Sequence, residues 1–173
     1  SIATAFSYFA RLPGAEPAEV DVLAQLRTSI ELFGQSNEAS ITLESGNISK
    51  AMIMADREHL NGIFSNLLKN AIQAMSAGIK GEIKIILSAS VDKVLIVFRD
   101  NGTGIPEELK SKMFTPNFTT KSSGMGLGLS IVKRYVETAG GTIRYESVSG
   151  NGTAFFIELP LLYTVERLGG QDN

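Results

Sequence analysis

The chain contains no cysteine, no tryptophan and only one histidine among its 173 residues. Without cysteine it has no disulfide framework, no thiol nucleophile and no cysteine-ligated zinc or iron–sulfur site. A Ser-His-Asp triad or a histidine-based metal site would need His59 itself, and the zinc-protease pattern H-E-x-x-H is absent. The lack of cysteine fits a cytoplasmic protein, and we expect that location.

Basic residues are not in excess either, with 16 Lys and Arg against 18 Asp and Glu and a net charge of -2. Nucleic-acid-binding domains usually carry a basic excess, so we expect no nucleic-acid partner. No apolar run reaches the roughly 18 residues that span a bilayer. The first residues also lack the basic start and apolar stretch of a secretory signal. We therefore expect no direct membrane contact.

The composition is that of one folded domain with short extensions, because 43% of the residues are hydrophobic and 20% are charged. The chain begins without Met inside a helix-like pattern at residues 2–11, which Pro13-Gly14 would end. We expect a piece of a longer protein: residues 1–19 end a helix and form a linker, residues 20–160 fold, and residues 161–173 form a frayed tail.

Hydrophobic periodicity predicts three substantial helices and about six or seven strands. The helices are predicted at 21–33, 57–77 and 127–139, and the strands at 41–45, 50–54, 82–90, 93–99, 142–147 and 153–159. Gly46-Asn47 indicates a hairpin-like connection between the first two strands, and Val91-Asp92 indicates an antiparallel pair. The pattern predicts an α/β (α+β) two-layer sandwich with a mixed, mostly antiparallel sheet and about three helices on one face.

Asp100 stands at the end of a predicted strand and is followed by Asn-Gly-Thr-Gly. A carboxylate beside Gly102 and Gly104 suits a hydrogen bond to an amino group of a flat ligand lying against bare backbone. The alternative is an ordinary hairpin turn, which D-N-G resembles. No alternating strand follows, and Pro106 indicates a helix start instead.

Three glycines, Gly124, Gly126 and Gly128, lead directly into the third predicted helix. Their spacing matches neither the P-loop nor the dinucleotide-binding motif. Glycine-rich backbone at a helix N-terminus can seat a phosphate, although a flexible loop before an ordinary helix has the same pattern. Residues 112–128 have no clean period, and we predict a long loop there.

The long helix carries a polar stripe, since His59, Asn66, Asn70 and Gln73 fall within about 60° at ~100° per residue. The amide oxygen of Asn70 could coordinate Mg²⁺, or the stripe could be a solvated helix edge. His59 is predicted to be a surface or partly packed residue. Phe114 and Phe118 are predicted to anchor the loop, while Lys121 could meet a phosphate or only water.

Four segments in this order, NLLKNAIQAM, DNGTGIP, MFTPNFTTK and GMGLGLSIVKRYVETAGG, closely resemble the N, G1, F and G2 boxes of the sensor histidine kinase catalytic domain. This is the Bergerat-type ATP-binding domain of the family that includes gyrase, Hsp90 and MutL, and GNGTAFFIELP is similar to its last conserved segment. The resemblance covers residues 20–160 and is nearest to nitrogen-regulation-type sensor kinases.

The resemblance implies ATP and Mg²⁺ as cofactors. Asn70 would coordinate Mg²⁺, Asn66 would replace the catalytic Glu of hydrolysing relatives, and Asp100 would accept a hydrogen bond from the adenine amino group. Gly102 and Gly104 would make room for the base, and residues 112–127 would form the nucleotide lid. Further nucleotide-binding positions are implied at Lys69, Ile105, Lys121, Gly124, Met125, Gly126, Leu127, Gly128, Leu129 and Thr153.

The sequence departs from the family pattern at two points. Gln73 stands where many members carry Lys or Arg, and the phospho-acceptor His box of the preceding helical hairpin is absent. The resemblance therefore implies a protein-histidine kinase fragment that passes the γ-phosphoryl to a His on a separate dimerisation domain, and onward to an Asp of a response regulator. Residues 1–19 would end that hairpin, the fragment would be monomeric, and the parent would be a homodimer, anchored in the membrane or not.

Three alternatives remain open. A hydrolysing ATPase of the same fold is disfavoured by Asn66, which has no titratable proton acceptor. A protein-Ser kinase of the anti-sigma type shares the fold but does not explain residues 2–11. A nucleotide-dead interaction module would keep the boxes as structure only.

Overall fold

A computed structural model describes residues 14–116 and 128–169 of the chain. Its elements are three α-helices, a 3₁₀ helix at Glu107–Lys112 and nine strands. The helices are α1 (Val22–Phe33), α2 (Arg57–Gln73) and α3 (Gly128–Thr138). The strands are β1 (Ala18–Asp21), β2 (Ala39–Glu44), β3 (Ile48–Lys50), β4 (Met52–Ala55), β5 (Gly81–Ala89), β6 (Lys93–Asp100), β7 (Thr142–Ser147), β8 (Thr153–Pro160) and β9 (Glu166–Arg167).

The main sheet has five strands in the order β2-β5-β6-β8-β7. β2 runs parallel to β5, and the other three pairs are antiparallel, so the sheet is mixed and mostly antiparallel as predicted. Side chains of β5 alternate between a buried face and a more exposed face, and β6 turns Val94, Ile96 and Phe98 to the same buried face. The helices cover the buried face, which confirms the predicted α/β sandwich.

The core lies between this face and the helices. Phe64 of α2 is fully buried and packs near Phe98 of β6, with ring centroids 5.8 Å apart. The apolar stripe of α2 that the sequence predicts is the stripe that the structure buries: Leu60, Ile63, Phe64, Leu67, Leu68 and Ala71. Burial of this stripe gives α2 a fixed orientation over the sheet.

Both long N-terminal helices begin at an aspartate cap. The carboxylate of Asp21 accepts a hydrogen bond from the backbone N–H of Leu23 at 3.1 Å, and that of Asp56 accepts from Glu58 at 2.8 Å. Each cap also holds a distant segment, because Asp21 accepts from the N–H of Ala51 and Asp56 from the N–H of Glu16. The helix starts are thereby tied to the entering chain.

The predicted hairpin around Gly46-Asn47 is wrong. Gly46 does turn the chain, with φ of +56°, but β2 joins the main sheet beside β5 while β4 pairs with β1. Long-range partners override the local turn, because each strand pairs with a strand that is distant in sequence. The stretch predicted as linker up to residue 19 likewise contributes β1, from Ala18.

The chain after Pro160 is held as far as the structure describes it. The N–H of Leu162 donates to the carbonyl of Met52, and β9 pairs with β3. The predicted fraying is therefore wrong for residues 161–169, because these residues complete the short strands. The helix predicted for residues 2–11 lies outside the described residues. In the part of the chain that the structure describes, no helix is both long and apolar enough to cross a membrane.

Candidate functional site

A row of polar side chains crosses one end of the helix-covered face of the sheet. Asp100 of β6 is directly opposite Thr153 of β8, which in turn is opposite Ser147 of β7. All three are buried, with exposed fractions of 9%, 7% and 8%. The next inward-facing position on β5 is the apolar Ile83. Three buried polar groups at the edge of an apolar face need partners, and they mark the candidate site.

Ser147 connects this row to the neighbouring loops. Its hydroxyl oxygen lies 2.8 Å from the backbone N–H of Ile105, 3.0 Å from the carbonyl oxygen of Gly152 and 2.9 Å from the hydroxyl of Thr153. Sequence reasoning missed Ser147. The signal was present in the alternation of β7, because Ile143, Tyr145 and Ser147 share the inward side and only the last is a small polar residue.

The loop after Asp100 is fixed by backbone hydrogen bonds. The carboxylate of Asp100 accepts from the N–H of Gly102 at 2.9 Å. The side chain of Asn101 reaches back to the start of β5, donating to the carbonyl of Lys80 and accepting from the N–H of Glu82. The N–H of Thr103 donates at 2.8 Å to the carbonyl of Ala74, just after α2. These hydrogen bonds therefore fix the position of Asp100 relative to the end of α2.

The two glycines of this loop are required by packing inside the protein. A Cβ on Gly102 would lie 2.6 Å from the carbonyl oxygen of Ala74. Gly104 has φ of +71°, and a Cβ there would overlap the carbonyl of Val148. These contacts give a reason for glycine that is independent of any ligand. The expected role of these glycines in making room for a base stays a prediction.

The polar stripe of α2 faces α3. Asn66 donates from its amide nitrogen to the carbonyl of Gly62 at 2.7 Å, which points its amide oxygen toward Gly128 at the start of α3. Asn70, one turn further on, is half-buried and has a partner of its own. Lys69 is exposed beside it. Asn66 thus lies at the α2–α3 junction, and Asn70 lies one turn nearer to Ala74, which the loop after Asp100 contacts.

His59 is partly packed, as predicted. Its ring is half-buried and stacks on Tyr135 of α3, with centroids 4.1 Å apart and planes 11° from parallel. Tyr135 fits there because Gly62 offers no side chain: a Cβ on Gly62 would lie 2.9 Å from the ring of Tyr135. The imidazole therefore serves the contact between α2 and α3 in this structure.

Phe114 anchors the chain just after the 3₁₀ helix. Its ring meets Tyr145 edge-on at 5.7 Å, and the ammonium of Lys133 lies 5.8 Å from its centroid. The hydroxyl of Tyr145 donates to the carbonyl of Lys110 at 2.7 Å, and burial raises the pKa of Tyr145 above its ordinary value. The packing prediction for Phe114 is confirmed, and Phe114 lies near the start of the segment predicted to form the lid.

Part of the predicted nucleotide site, together with the predicted loop anchor Phe118, falls outside the part of the chain that the structure describes. Phe118, Lys121, Gly124, Met125, Gly126 and Leu127 lie outside the described residues. Gly128 and Leu129 are the first residues of α3 and are half-buried. The structure therefore brings Asn66 next to Gly128, and Asp100 next to Thr153 and Ser147, while the predicted phosphate loop keeps its status as a prediction.

The donor set of the described residues bears on metal binding. Residues 14–116 and 128–169 contain no group of three or more His, Asp or Glu side chains that could hold a metal ion. A single neutral amide oxygen such as that of Asn70 fits Mg²⁺ only when other oxygen ligands arrive with the ion. Phosphate oxygens and water are such ligands. The donor set therefore fits a metal that binds together with a nucleotide.

The candidate site is thus built from the buried Asp100 at the end of a central strand, the two asparagines of α2 and the glycine-bearing loop that follows Asp100. The chain belongs to the family of histidine kinase-, DNA gyrase B- and HSP90-like ATPases, and the sequence model of that family matches residues 55–163.

Curated relatives within this family are named sensor histidine kinases. ZraS of Escherichia coli strain K12 is 39% identical over 147 residues, which are 84% of this chain and 31% of that protein. ZraS of Salmonella typhimurium strain LT2 is 35% identical over 143 residues, 82% of this chain and 30% of that protein. A putative NtrY-like sensor histidine kinase of Rickettsia prowazekii is 32% identical over 173 residues, 98% of this chain and 29% of that protein. The chain thus spans about 30% of the length of these relatives.

Solved structures of histidine kinases share the fold. The nucleotide-free catalytic domain of ThkA matches with a TM-score of 0.73 and 35% identity, covering 84% of this chain and 95% of that one. Full-length ShkA in complex with AMPPNP matches with a TM-score of 0.75 and 26% identity, covering 95% of this chain and 36% of that one. ThkA in complex with the response regulator protein TrrA matches with a TM-score of 0.74 and 31% identity, covering 92% of this chain and 46% of that one.

Proposed function

We propose that this chain is the ATP-binding catalytic domain of a cytoplasmic part of a two-component sensor histidine kinase. The observation that carries the proposal is the buried carboxylate of Asp100, held in the same frame as Asn66 and Asn70 by the bond from Thr103 to Ala74. A carboxylate beside a helix that bears amides suits a ligand with an amino group at one end and metal-bound phosphates at the other.

In the proposed complex, Asp100 accepts a hydrogen bond from the adenine amino group. Asn70 would offer its amide oxygen to Mg²⁺, and the bound ion would neutralise phosphate charge. Lys69 and Lys121 are the candidate cations for the remaining phosphate charge, and residues 124–129 are the candidate backbone donors. Catalysis by such a site is mainly positioning and charge neutralisation, as phosphoryl transfer generally allows.

The proposed acceptor is a histidine on a separate dimerisation domain. A neutral imidazole nitrogen attacks the γ-phosphorus, the bond from that phosphorus to the bridging oxygen breaks, and ADP leaves. Because a neutral imidazole is already a nucleophile, the site needs no general base. Asn66 supports this reading, since its amide cannot take a proton from water as a carboxylate would. The final recipient is an Asp of a response regulator, and the fragment itself is proposed to be a monomer.

His59 is not the proposed acceptor. Its ring is stacked on Tyr135 at a centroid distance of 4.1 Å, so it takes part in the contact between α2 and α3. The experiment incubates the chain with ATP carrying a labelled γ-phosphate, with and without a histidine-bearing hairpin domain of a sensor kinase. We expect acid-labile label on the hairpin and none on the chain. Label on His59, or rapid release of phosphate without transfer, would contradict the proposal.

A further inference from the structure

Ser147 has three hydrogen-bonding contacts but a single hydrogen to donate. The backbone N–H of Ile105 can only donate, so the Ser147 oxygen accepts from it at 2.8 Å. The carbonyl oxygen of Gly152 can only accept, so Ser147 donates its hydrogen to it at 3.0 Å. The third contact, 2.9 Å to the hydroxyl of Thr153, has no hydrogen left from Ser147.

The polarity of Thr153 follows from this count. All three contacts are hydrogen bonds at once only if Thr153 donates its own hydrogen to the second lone pair of Ser147. The Thr153 hydroxyl then has no hydrogen for a ligand and presents lone pairs only. A buried hydroxyl held in this way is fixed in orientation, because turning it would leave a buried group unpaired.

Thr153 shares its face of the sheet with Asp100. The two residues are directly opposite each other on neighbouring antiparallel strands, so their Cβ atoms are about 5 Å apart. One end of the candidate site therefore carries two acceptors side by side, a carboxylate and an acceptor-only hydroxyl. Such a pair favours an amino group and disfavours a ligand oxygen, whose lone pairs would face theirs.

We infer that Ser147 is a positioning residue that makes Thr153 an obligatory acceptor and so sets the preference of the site for a 6-amino purine over a 6-oxo purine. This inference rests on the proposed function, because it assumes that the purine lies against the row from Asp100 to Ser147. Ser147 acts through Thr153 and through the anchoring of Ile105, and it does not itself contact the base.

The test compares the affinity for ATP with that for ITP, which carries an oxygen in place of the 6-amino group. Titration calorimetry is run on the unmutated chain, Ser147→Ala and Thr153→Val, with Ser29→Ala as the control for loss of a buried serine hydroxyl elsewhere. We expect the unmutated chain to prefer ATP, and both site variants to narrow the ATP-to-ITP ratio by about tenfold, the size of one net hydrogen bond.

The physical reasons for the two effects differ. In Ser147→Ala the hydroxyl of Thr153 is released and can donate to the oxygen of ITP, so ITP binding improves relative to ATP. In Thr153→Val the acceptor is lost, so ATP binding weakens, and the repulsion between the Thr153 lone pairs and the oxygen of ITP is relieved. Thr153→Ser and Ser147→Thr keep the hydroxyl groups and are expected to keep the ratio of the unmutated chain.

The outcomes are separable. If thermal melting shows that Ser147→Ala does not fold, the comparison of Thr153→Val with Thr153→Ser still tests the inference. An unchanged ratio in Thr153→Val, or in folded Ser147→Ala, would overturn the inference while ATP binding by the unmutated chain upheld the proposed function. Absence of ATP binding by the unmutated chain would overturn both.

Discussion

Two glycines in the turn between β7 and β8 offer a test of how Asp100 is held. Gly150 and Gly152 both have φ of +86°, a conformation that L-residues rarely adopt. A Cβ on Gly150 would have no atom within 4 Å, whereas a Cβ on Gly152 would overlap the backbone carbonyl of Asp100. The pair therefore separates the cost of backbone conformation from the cost of displacing Asp100.

The structure gives the expected magnitudes. Each alanine substitution forces a left-handed conformation on a residue with a Cβ, which costs about 1–2 kcal/mol. Gly152→Ala adds an overlap with Asp100, and forced overpacking typically costs about 1–3 kcal/mol more. We expect Gly150→Ala to lower the free energy of unfolding by about 1–2 kcal/mol and Gly152→Ala by about 2–5 kcal/mol.

The assay combines chemical denaturation with nucleotide titration. Gly150→Ala is expected to bind AMPPNP as the unmutated chain does, because Gly150 keeps the N–H that donates to Thr103. Gly152→Ala is expected to bind at least about tenfold more weakly, since a shift of Asp100 costs at least one net hydrogen bond to the ligand. Equal losses of stability and affinity in both variants would refute the claim that the turn positions Asp100.

Three further predictions concern the core, the metal and the helix cap. Phe64→Ala is expected to lower the free energy of unfolding in urea by about 3–5 kcal/mol, whereas the exposed Leu32→Ala should cost little; similar losses would contradict the packing. Asn70→Ala is expected to bind nucleotide in the presence of a chelator as the unmutated chain does but to lose the gain on adding Mg²⁺, and a retained gain in calorimetry would exclude Asn70 as the ligand. Hydrogen bonds from the backbone of Glu16, His59 and Glu58 lower the pKa of Asp56 below its ordinary value of 3.8. The ionised carboxylate therefore stabilises the fold above pH 3.8, and this contribution is lost as the pH falls through the pKa of the folded state. Asp56→Asn should therefore lose less stability than the unmutated chain between neutral pH and pH 3, and identical acid profiles would contradict the cap.

The helices and the central strands were predictable because their local signals agree with their tertiary environment. The stripe of α2 has a clear 3.6-residue period, and Asp56 caps it both in sequence and in structure. β5 and β6 alternate and are joined by a short turn, so they pair with each other as neighbours in sequence. Nothing distant competes with these assignments.

The edges of the fold were not predictable from local pattern. β2 and β4 flank a glycine turn, yet their partners, β5 and β1, are far away in sequence. The short strand β9 lies in the segment predicted to be a tail, and it forms by pairing with β3. Pairings of this kind depend on long-range contacts, which single-sequence patterns do not report.

The candidate site shows the same division. Asp100 stood out because it stands at the end of a strand before two glycines with no alternating strand after them, and Asn70 stood out because asparagine is a poor helix former. Ser147 did not stand out, because its importance depends on three contacts from different segments, the loop at Ile105 and the turn at Gly152 among them. Such a residue is recognised only once the strands are aligned.

The central claim is that Asp100 recognises the base of a bound adenine nucleotide. The most direct measurement is calorimetric titration of the whole chain with AMPPNP, with and without Mg²⁺, on the unmutated chain, Asp100→Asn and Asp92→Asn, an exposed aspartate in the β5–β6 turn. The account predicts binding that Mg²⁺ strengthens, that Asp100→Asn abolishes and that Asp92→Asn leaves unchanged. No binding at millimolar nucleotide, or equal binding by all three proteins, would contradict it.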